Sequence, residues 1–242
     1  MKKFWSLKKI ESVAELVLYG PISQESWYGD EVTPKQLSDD LAAMGDVTEI
    51  SVRINSGGGD VFAGTAIHSI LKRHKASVTV YVDGLAASIA SIIAMAGDKI
   101  IMPKGSMMMI HNPWTFAMGD AKDLRKTAET LDQVRDSLIT IYSDKTGLSA
   151  EEIIPLLDAE TWLSAAEAVK KGFATEVEEK LSIAASIRGN TAMINGIEVE
   201  WSKFANAPEL PVAESDPKPK EPEMKVINQD LRRKRLELAN KL

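Results

Sequence analysis

The 242-residue chain contains no cysteine and only three histidines. Without cysteine, a disulfide framework, a thiol nucleophile and a thiolate metal site are all excluded. The histidines are His68, His74 and His111, so a catalytic imidazole must be one of these three. These two shortages direct nucleophilic chemistry toward a hydroxyl group and restrict the choice of its base.

A strong net charge and a long apolar run are also missing. Lysine and arginine total 29 against 35 aspartates and glutamates, a net charge of −6, whereas a nucleic-acid backbone requires a basic face. The longest uncharged apolar run, Leu85 to Ala96, is far shorter than the roughly 20 residues of a membrane-spanning helix. Charges at Lys8, Lys9 and Glu11 interrupt any signal-peptide core. We therefore expect a cytoplasmic protein that binds neither nucleic acid nor membrane.

Short β-branched runs alternate with amphipathic helical stretches between residue 13 and about residue 102. That alternation is typical of βα units around a largely parallel sheet, and it predicts an α/β fold. The predicted strands are Val13–Tyr19, Glu49–Ile54, Ser77–Val82, Lys99–Met102 and Met107–Ile110. The predicted helices between them begin at Thr33-Pro34, Val61 and Ser88.

One long helix is predicted over residues 120–145. Leu124, Leu131 and Leu138 recur every seven residues, and a second apolar row accompanies them. Such a helix either lies on its own domain or interdigitates with another copy in an oligomer.

The chain is predicted to divide into four parts. A folded core covers residues 1–185, and an extension follows over 186–207. Residues 208–225 hold five of the ten prolines among charged residues, which is typical of a flexible, disordered linker. Residues 226–242 carry five basic and two acidic residues in a helix-compatible pattern. This last part is either a frayed terminal helix or a recognition tail that docks elsewhere.

A glycine run between a predicted strand and a predicted helix is the first candidate site. It reads Asn55-Ser56-Gly57-Gly58-Gly59-Asp60. Consecutive glycines either form a tight turn or expose N–H groups to a phosphate or a developing oxyanion. No Gly-Lys-Ser/Thr follows, which argues against a phosphate loop.

A serine at a second strand-to-helix junction is the candidate nucleophile. The segment Asp83-Gly84-Leu85-Ala86-Ala87-Ser88-Ile89-Ala90 places Ser88 where a helix begins. A serine there is either an ordinary N-cap or a nucleophile beside free N–H groups that favour negative charge on a substrate oxygen. Ser91, one turn later on the same face, is the rival nucleophile.

His111 is the best placed of the three histidines. It follows the apolar run Met107–Ile110 and precedes Pro113, so it lies at the end of a strand, where sites in open sheets usually occur. Taken alone, it is equally compatible with a buried structural histidine. His68 is predicted to pack on a helix, and His74 to cap the end of that helix.

Four sequence blocks together resemble the ClpP family of serine peptidases. They are Ile54-Asn55-Ser56-Gly57-Gly58-Gly59, Gly84-Leu85-Ala86-Ala87-Ser88, Met109-Ile110-His111-Asn112-Pro113 and Thr161-Trp162-Leu163-Ser164-Ala165-Ala166-Glu167-Ala168-Val169. They occur in the family's order and at its spacings, and the resemblance covers roughly residues 13–180. It implies a ClpP/crotonase-like repeated ββα superhelix with a long handle helix. It also implies peptide hydrolysis with no cofactor and no metal.

The resemblance implies a catalytic role for Ser88 and His111. Ser88 would attack a peptide carbonyl, and His111 would take its proton and later give it to the leaving amine. The N–H groups of Gly58 and Ile89 would form the oxyanion hole.

The sequence departs from the family pattern at the acid and at the glycine turn. The family has an aspartate where this chain has Glu160, two residues before Trp162. Either Glu160 orients the imidazole with its longer reach, which we favour, or Asp158 takes that role. The family's usual Pro-Gly-Gly is Gly57-Gly58-Gly59 here, which loosens the turn without removing its N–H groups.

The family resemblance also leads to expectations about assembly and substrates. The family forms stacked heptameric rings fed with unfolded protein by an ATPase, so the 120–145 helix is expected to make a ring-to-ring contact. The segment before Val13 is short, and the proline-rich tail is foreign to the housekeeping enzyme. Both features resemble ClpP-related head-maturation proteases of phages and prophages. Capsid or scaffold proteins, met in the host cytoplasm or procapsid, are then the expected substrates of a homo-oligomer, and the need for an ATPase partner is left open.

Three other functions are alternatives to the predicted head-maturation protease. One is a housekeeping-type, ATP-dependent Clp proteolytic subunit. A second is a crotonase-like acyl-CoA hydratase or isomerase, which shares the architecture but relies on carboxylates in place of a serine–histidine pair. A third is a ring subunit that has lost its activity and acts as a structural or scaffold-binding protein.

Overall fold

The computed structural model describes residues 5–25, 33–182 and 185–211. The strands are β1 (Trp5–Ile10), β2 (Val13–Tyr19), β3 (Glu49–Ser56), β4 (Ser77–Ala87), β5 (Lys99–Lys104), β6 (Met107–Ile110), β7 (Thr161–Ser164), β8 (Glu176–Ser182), β9 (Ala185–Arg188), β10 (Thr191–Ile194) and β11 (Ile197–Glu200). The helices are α1 (Pro34–Ala43), α2 (Val61–Arg73), α3 (Ile89–Ala94), α4 (Ala121–Thr146), α5 (Ala150–Asp158) and α6 (Ala165–Lys170), with a short 3-10 helix at Trp201–Lys203. The predicted terminal helix and most of the predicted linker lie outside the described residues.

A mostly parallel sheet forms the centre of the molecule. Its strands run in the order β1-β2-β3-β4-β5-β8, with β1 antiparallel at the edge and parallel pairing from β2 to β8. Burial alternates along β2, which is typical of a strand covered mainly on one face. The last six residues of β4 are all buried, because this end of the strand pairs with β6 and packs against the C-terminal extension. The prediction of an α/β fold with βα units is confirmed.

A branch of this sheet brings two chain segments to the same edge. Strand β6 pairs in parallel with Leu85–Ala87 at the end of β4, and its other side pairs antiparallel with β7. Parallel neighbours end at the same edge of a sheet, so the residues that follow β4 and β6 emerge side by side.

The long helix α4 begins and ends close to its predicted bounds. Asp120 caps its first turn in a reciprocal capping box, and Gly147 ends it in a left-handed conformation with φ of 76°. The second half of the helix buries Leu138, Ile139 and Tyr142, whereas most of its first half is exposed. The helix is therefore anchored at one end and extends away from the sheet at the other. None of the helices in the described part of the chain is long and apolar enough to span a membrane.

A second sheet covers residues 185–200 and so lies almost entirely in the extension predicted over residues 186–207. Strands β9, β10 and β11 pair antiparallel, and Asn195 and Gly196 turn between β10 and β11 with φ of 46° and 83°. Ile194, Ile197 and Trp201 are buried against the ends of the main sheet. The same cluster includes buried residues from β4 and β6, namely Leu85, Ala87 and Met109. This segment packs on the core as an apolar layer.

Candidate active site

Ser88 lies at the sharp turn between β4 and α3. Its φ of 54° and ψ of −129° are unusual for a residue with a side chain, and its hydroxyl makes no capping hydrogen bond to α3. The turn is held because the Ser88 N–H donates to the carbonyl of Met109 in β6, at 2.9 Å. The strained turn is typical of serine nucleophiles raised at the end of a strand. It disagrees with the interpretation of Ser88 as an ordinary N-cap.

His111 reaches Ser88 because β6 ends beside β4. Its Nε2 lies 2.8 Å from Oγ of Ser88, and its side chain is 13% exposed. Burial lowers the pKa of His111, the Glu160 carboxylate raises it, and the Lys203 ammonium lowers it, with a net decrease below its ordinary value. The imidazole is therefore neutral near pH 7, as a proton acceptor must be.

Glu160 lies on the far side of the His111 ring from Ser88. Its Oε2 is 4.0 Å from Nδ1 of His111, and its side chain is 11% exposed. Its backbone φ is 46°, in the left-handed region. Asp158, the alternative acid, instead accepts a hydrogen bond from Nδ2 of Asn112 at 2.7 Å. The structure thus brings Ser88 and Glu160 to opposite nitrogens of the His111 ring, and it binds Asp158 to Asn112.

The glycine turn after β3 lies directly against Ser88. A Cβ atom on Gly58 would lie 2.7 Å from Cβ of Ser88 and 2.9 Å from the carbonyl oxygen of Ala87, so only glycine fits there. Its φ of 93° also favours glycine. The Gly58 N–H donates to the buried hydroxyl of Ser56 at 3.1 Å, so this predicted oxyanion donor is engaged inside the protein. Ile89 is the first residue of α3, where an N–H has no acceptor within the helix.

A cleft of about 360 Å³ opens over Ser88 and His111. Apolar side chains line part of it, and the glycine turn and the extension also contribute. The lining includes Val61, Pro113, Trp114, Phe116, Lys203 and Phe204. In the described part of the chain, no group of three or more acidic or histidine side chains is placed to hold a metal ion.

The other candidate residues from the sequence, Ser91, His68 and His74, make contacts that are typical of structural residues. Ser91 is fully buried, donates to the carbonyl of Ser88 at 2.6 Å and bonds the Tyr142 hydroxyl at 2.7 Å. His68 lies within α2, where burial lowers its pKa to about 4. His74 is the C-cap residue of the same helix, and its Nδ1 accepts a hydrogen bond from the N–H of Ala76.

Sequence reasoning missed the residues that the extension contributes to the site. Lys203 donates to the carbonyl of Gly57 at 3.1 Å, and the N–H groups of Ala205 and Asn206 donate to Glu160. The dipeptide Asn195-Gly196 between alternating apolar residues is a strong hairpin signal from which this second sheet could have been predicted. No comparable local signal marks the residues after the hairpin, because their hydrogen bonds to Gly57 and Glu160 join positions 45 or more residues apart in the chain.

Comparison with known proteins places these features in a family. The family model described as Clp protease matches residues 8–180. An ATP-dependent Clp protease proteolytic subunit of Bacteroides fragilis is 34% identical over 154 residues, which cover 61% of this chain and 74% of the relative. Proteins of the same name from Deinococcus radiodurans and Leuconostoc citreum are 35% and 38% identical, covering 53% and 55% of this chain and 64% and 68% of the relatives. The chain therefore belongs to the Clp protease family and is a serine-type peptidase.

Proposed function

We propose that the chain cleaves peptide bonds with Ser88 as nucleophile, His111 as general base and acid, and Glu160 as the carboxylate that orients His111. The observation that carries the proposal is the 2.8 Å separation of Ser88 Oγ and His111 Nε2 at the floor of the cleft. Both side chains stand on turns whose geometry is set by the buried pairing of β4 and β6. Rigid support of this kind is what a nucleophile and its base require.

The chemistry follows from that arrangement. Oγ of Ser88 attacks the substrate carbonyl carbon as Nε2 takes its proton, and the resulting imidazolium gives this proton to the departing amine nitrogen. A water molecule then enters, loses a proton to His111, and attacks the acyl-serine ester. The acid product leaves and Ser88 regains its proton. Glu160 lies within reach of Nδ1 and stabilises the imidazolium of each step.

The negative oxygen of each tetrahedral intermediate needs donors close to Ser88. The N–H of Ile89 has this position at the start of α3. The N–H of Gly58 belongs to the turn that touches Ser88, and it acts as the second donor after exchanging the Ser56 hydroxyl for the oxyanion.

Labelling with a fluorophosphonate probe tests the proposed nucleophile. The wild-type protein is expected to gain one covalent adduct on Ser88, located by peptide mass spectrometry, and to cleave fluorescent casein. Ser88→Ala and His111→Ala are expected to lose labelling or cleavage by at least about 10³-fold. Ser91→Ala is a matched control because its hydroxyl is buried. Labelling of Ser91, or retained cleavage in Ser88→Ala, contradicts the proposal.

The crotonase-like and inactive-ring functions predict no labelling at all. Hydratases have no nucleophilic serine of this kind, and a ring subunit without activity cleaves nothing. If the wild-type protein is folded, with its full helical content, but is not labelled, that result would support one of these two alternatives.

We further propose that the active form is a ring of identical subunits, one heptamer or two stacked. Support comes from apolar side chains that are exposed on a single chain, in the first half of α4 and in the segment before it. They are Trp114, Phe116, Met118 and Leu124, and we call them the apolar patch. Burial of such side chains against a second copy stabilises an assembly by about 25 cal/mol per Å² of apolar surface. The family membership supports the same arrangement.

For the substrates, we propose capsid or scaffold proteins processed during phage or prophage head maturation. Support comes from the C-terminal part of the chain: residues 181–242 lie beyond the family match, and Lys203 and Phe204 of that part line the cleft. Incubation of the purified protein and measurement of its intact mass test the role of the tail. Removal of the tail by wild type but not by Ser88→Ala supports self-processing.

The second candidate is a subunit that works with a Clp ATPase. The names of its relatives favour it, since each is an ATP-dependent Clp protease proteolytic subunit. Casein degradation with and without a Clp ATPase and ATP separates the two. Strong stimulation by the ATPase favours this candidate, whereas cleavage of a folded scaffold protein without ATPase favours the maturation role.

A further inference from the structure

The residues that hold Glu160 come from a segment outside the Clp protease match. Oε2 of Glu160 accepts from the Ala205 N–H at 2.9 Å, and Oε1 accepts from the Asn206 N–H at 2.7 Å. Both donors follow the 3-10 helix of the extension, and the family match ends at residue 180. We call the segment Ala205-Asn206 the amide clamp.

The amide clamp is itself fixed by buried aromatic packing. Trp201 and Phe204, which precede it, are 6% and 7% exposed. Both rings contact Trp162 of β7, with centroids 4.9 and 5.2 Å away. The indole Nε1 of Trp162 also donates to Oε1 of Glu160, at 3.3 Å. The strand that follows Glu160 and the segment that binds it are thus packed together.

Polar contacts also attach the extension to the edge of the main sheet near the site. The side-chain amide of Asn55 donates to the carbonyl of Ile194 at 2.9 Å, and its oxygen accepts the N–H of Leu85. Nδ2 of Asn206 donates to the carbonyl of Ala159, the residue before Glu160, at 2.8 Å. The clamp therefore holds both the side chain and the adjoining backbone of the acid.

A glutamate needs such a clamp more than an aspartate does. Its side chain has one more rotatable bond, so its carboxylate samples more positions unless other groups restrict it. Two backbone N–H groups on separate oxygens fix the plane of the carboxylate as well as its distance from the imidazole. The two N–H groups of the clamp therefore restrict the additional rotation that glutamate has compared with aspartate.

We infer that the amide clamp positions Glu160 for its action on His111, so that the C-terminal extension is an integral part of the catalytic site. This inference rests on the proposed function of Ser88, His111 and Glu160. The clamp acts through Glu160 and has no contact with the reacting atoms. Loss of the clamp is expected to slow the chemical step and leave substrate binding largely intact.

The test is a double-mutant cycle between Ala205→Pro and Glu160→Gln. Proline removes the Ala205 N–H, and Phe204 already has φ of −100° and ψ of 131°, which a following proline favours. Ala205→Pro alone is expected to lower kcat about 10- to 100-fold with KM within about twofold. In the Glu160→Gln background it is expected to cause no further loss. Glu209→Pro, at an exposed position three residues after the clamp, is the control.

Each other outcome has a definite meaning. An unchanged kcat, a loss confined to KM, or an equal loss in both backgrounds overturns the inference. If Ala205→Pro lowers the melting temperature markedly, replacement of Ala205 by lactic acid removes the same N–H as an ester, and the cycle is repeated with that protein. A wild-type protein that labels at Ser88 while the cycle is additive refutes the clamp alone. A wild-type protein that does not label refutes the proposed function.

Discussion

Oε2 of Glu160 lies 4.0 Å from Nδ1 of His111, on the opposite side of the imidazole from Ser88. Glu160→Gln keeps the shape of the side chain but removes the charge that stabilises an imidazolium. We expect kcat for casein cleavage to fall by about 10² to 10⁴-fold. Asp158→Asn is expected to stay within about twofold, because that carboxylate binds Asn112 instead.

Steady-state kinetics of both variants decide between the two acids. A large loss in Asp158→Asn with activity retained in Glu160→Gln would reverse the assignment.

The charge of Lys203 is predicted to influence the pH dependence of cleavage. In the proposed mechanism His111 accepts a proton only when neutral, so activity is expected to rise with pH through the pKa of His111, which burial places below its ordinary value. The Lys203 ammonium lowers that pKa further, so Lys203→Met is expected to move the acidic limb to higher pH. Glu160→Gln removes a charge that raises the same pKa, and its limb is expected to move to lower pH.

The pH profile of kcat/KM measures both shifts. Lys35→Met, which changes a lysine paired with Asp39 on α1, is the control and should leave the limb in place. Shifts of the same sign in Lys203→Met and Glu160→Gln would show that His111 is not the titrating group.

Substitution at Gly58 is predicted to remove activity through geometry. In Gly58→Ala the new methyl group would meet Ser88 Cβ at 2.7 Å, and the φ of 93° disfavours alanine. We expect fluorophosphonate labelling to slow by at least about 10²-fold, since both the serine turn and the proposed oxyanion donor are displaced.

Gly45→Ala separates this effect from ordinary backbone strain. Gly45 also has a positive φ, 64°, but a Cβ there has no heavy atom within 4 Å. The control is expected to lose about 1 kcal/mol of stability by thermal unfolding and to label at the wild-type rate. Equal labelling by both variants would remove Gly58 from the site.

The apolar patch near α4 is predicted to lie in a contact between copies of the chain. Leu124 is 45% exposed on the free half of α4, and a glutamate in its place would carry a charge into that contact. Leu124→Glu is expected to shift the mass measured by light scattering from the assembled form toward the single chain, with unchanged circular dichroism. Glu129→Gln, an exposed position on the same helix, is the control. An assembly of unchanged mass in Leu124→Glu would place the contact elsewhere.

The elements with regular patterns were predictable because the pattern expresses local physics. The apolar runs of β2 and β6 have the predicted bounds, and α4 differs by one residue at each end. Strand β4 is five residues longer than its run of β-branched residues, because its last part, which includes Gly84 and Ala87, pairs with β3 and β6. Strands β1 and β7 were not predicted, since both depend on pairing partners to complete their hydrogen bonds.

The sequence by itself determined the α/β class, the family, and the two residues Ser88 and His111 as the candidate pair. It could do so because absent cysteine, three histidines and four motifs are properties of the chain alone. Only the tertiary structure decided which carboxylate lies near His111, which groups hold it, and which side chains line the cleft. The contacts that hold Glu160 connect β7 and the loop before it to the extension. They depend on the packing of Trp162 against Trp201 and Phe204. Contacts between residues so far apart in the chain arise from burial of shared apolar surface, and no local pattern encodes them.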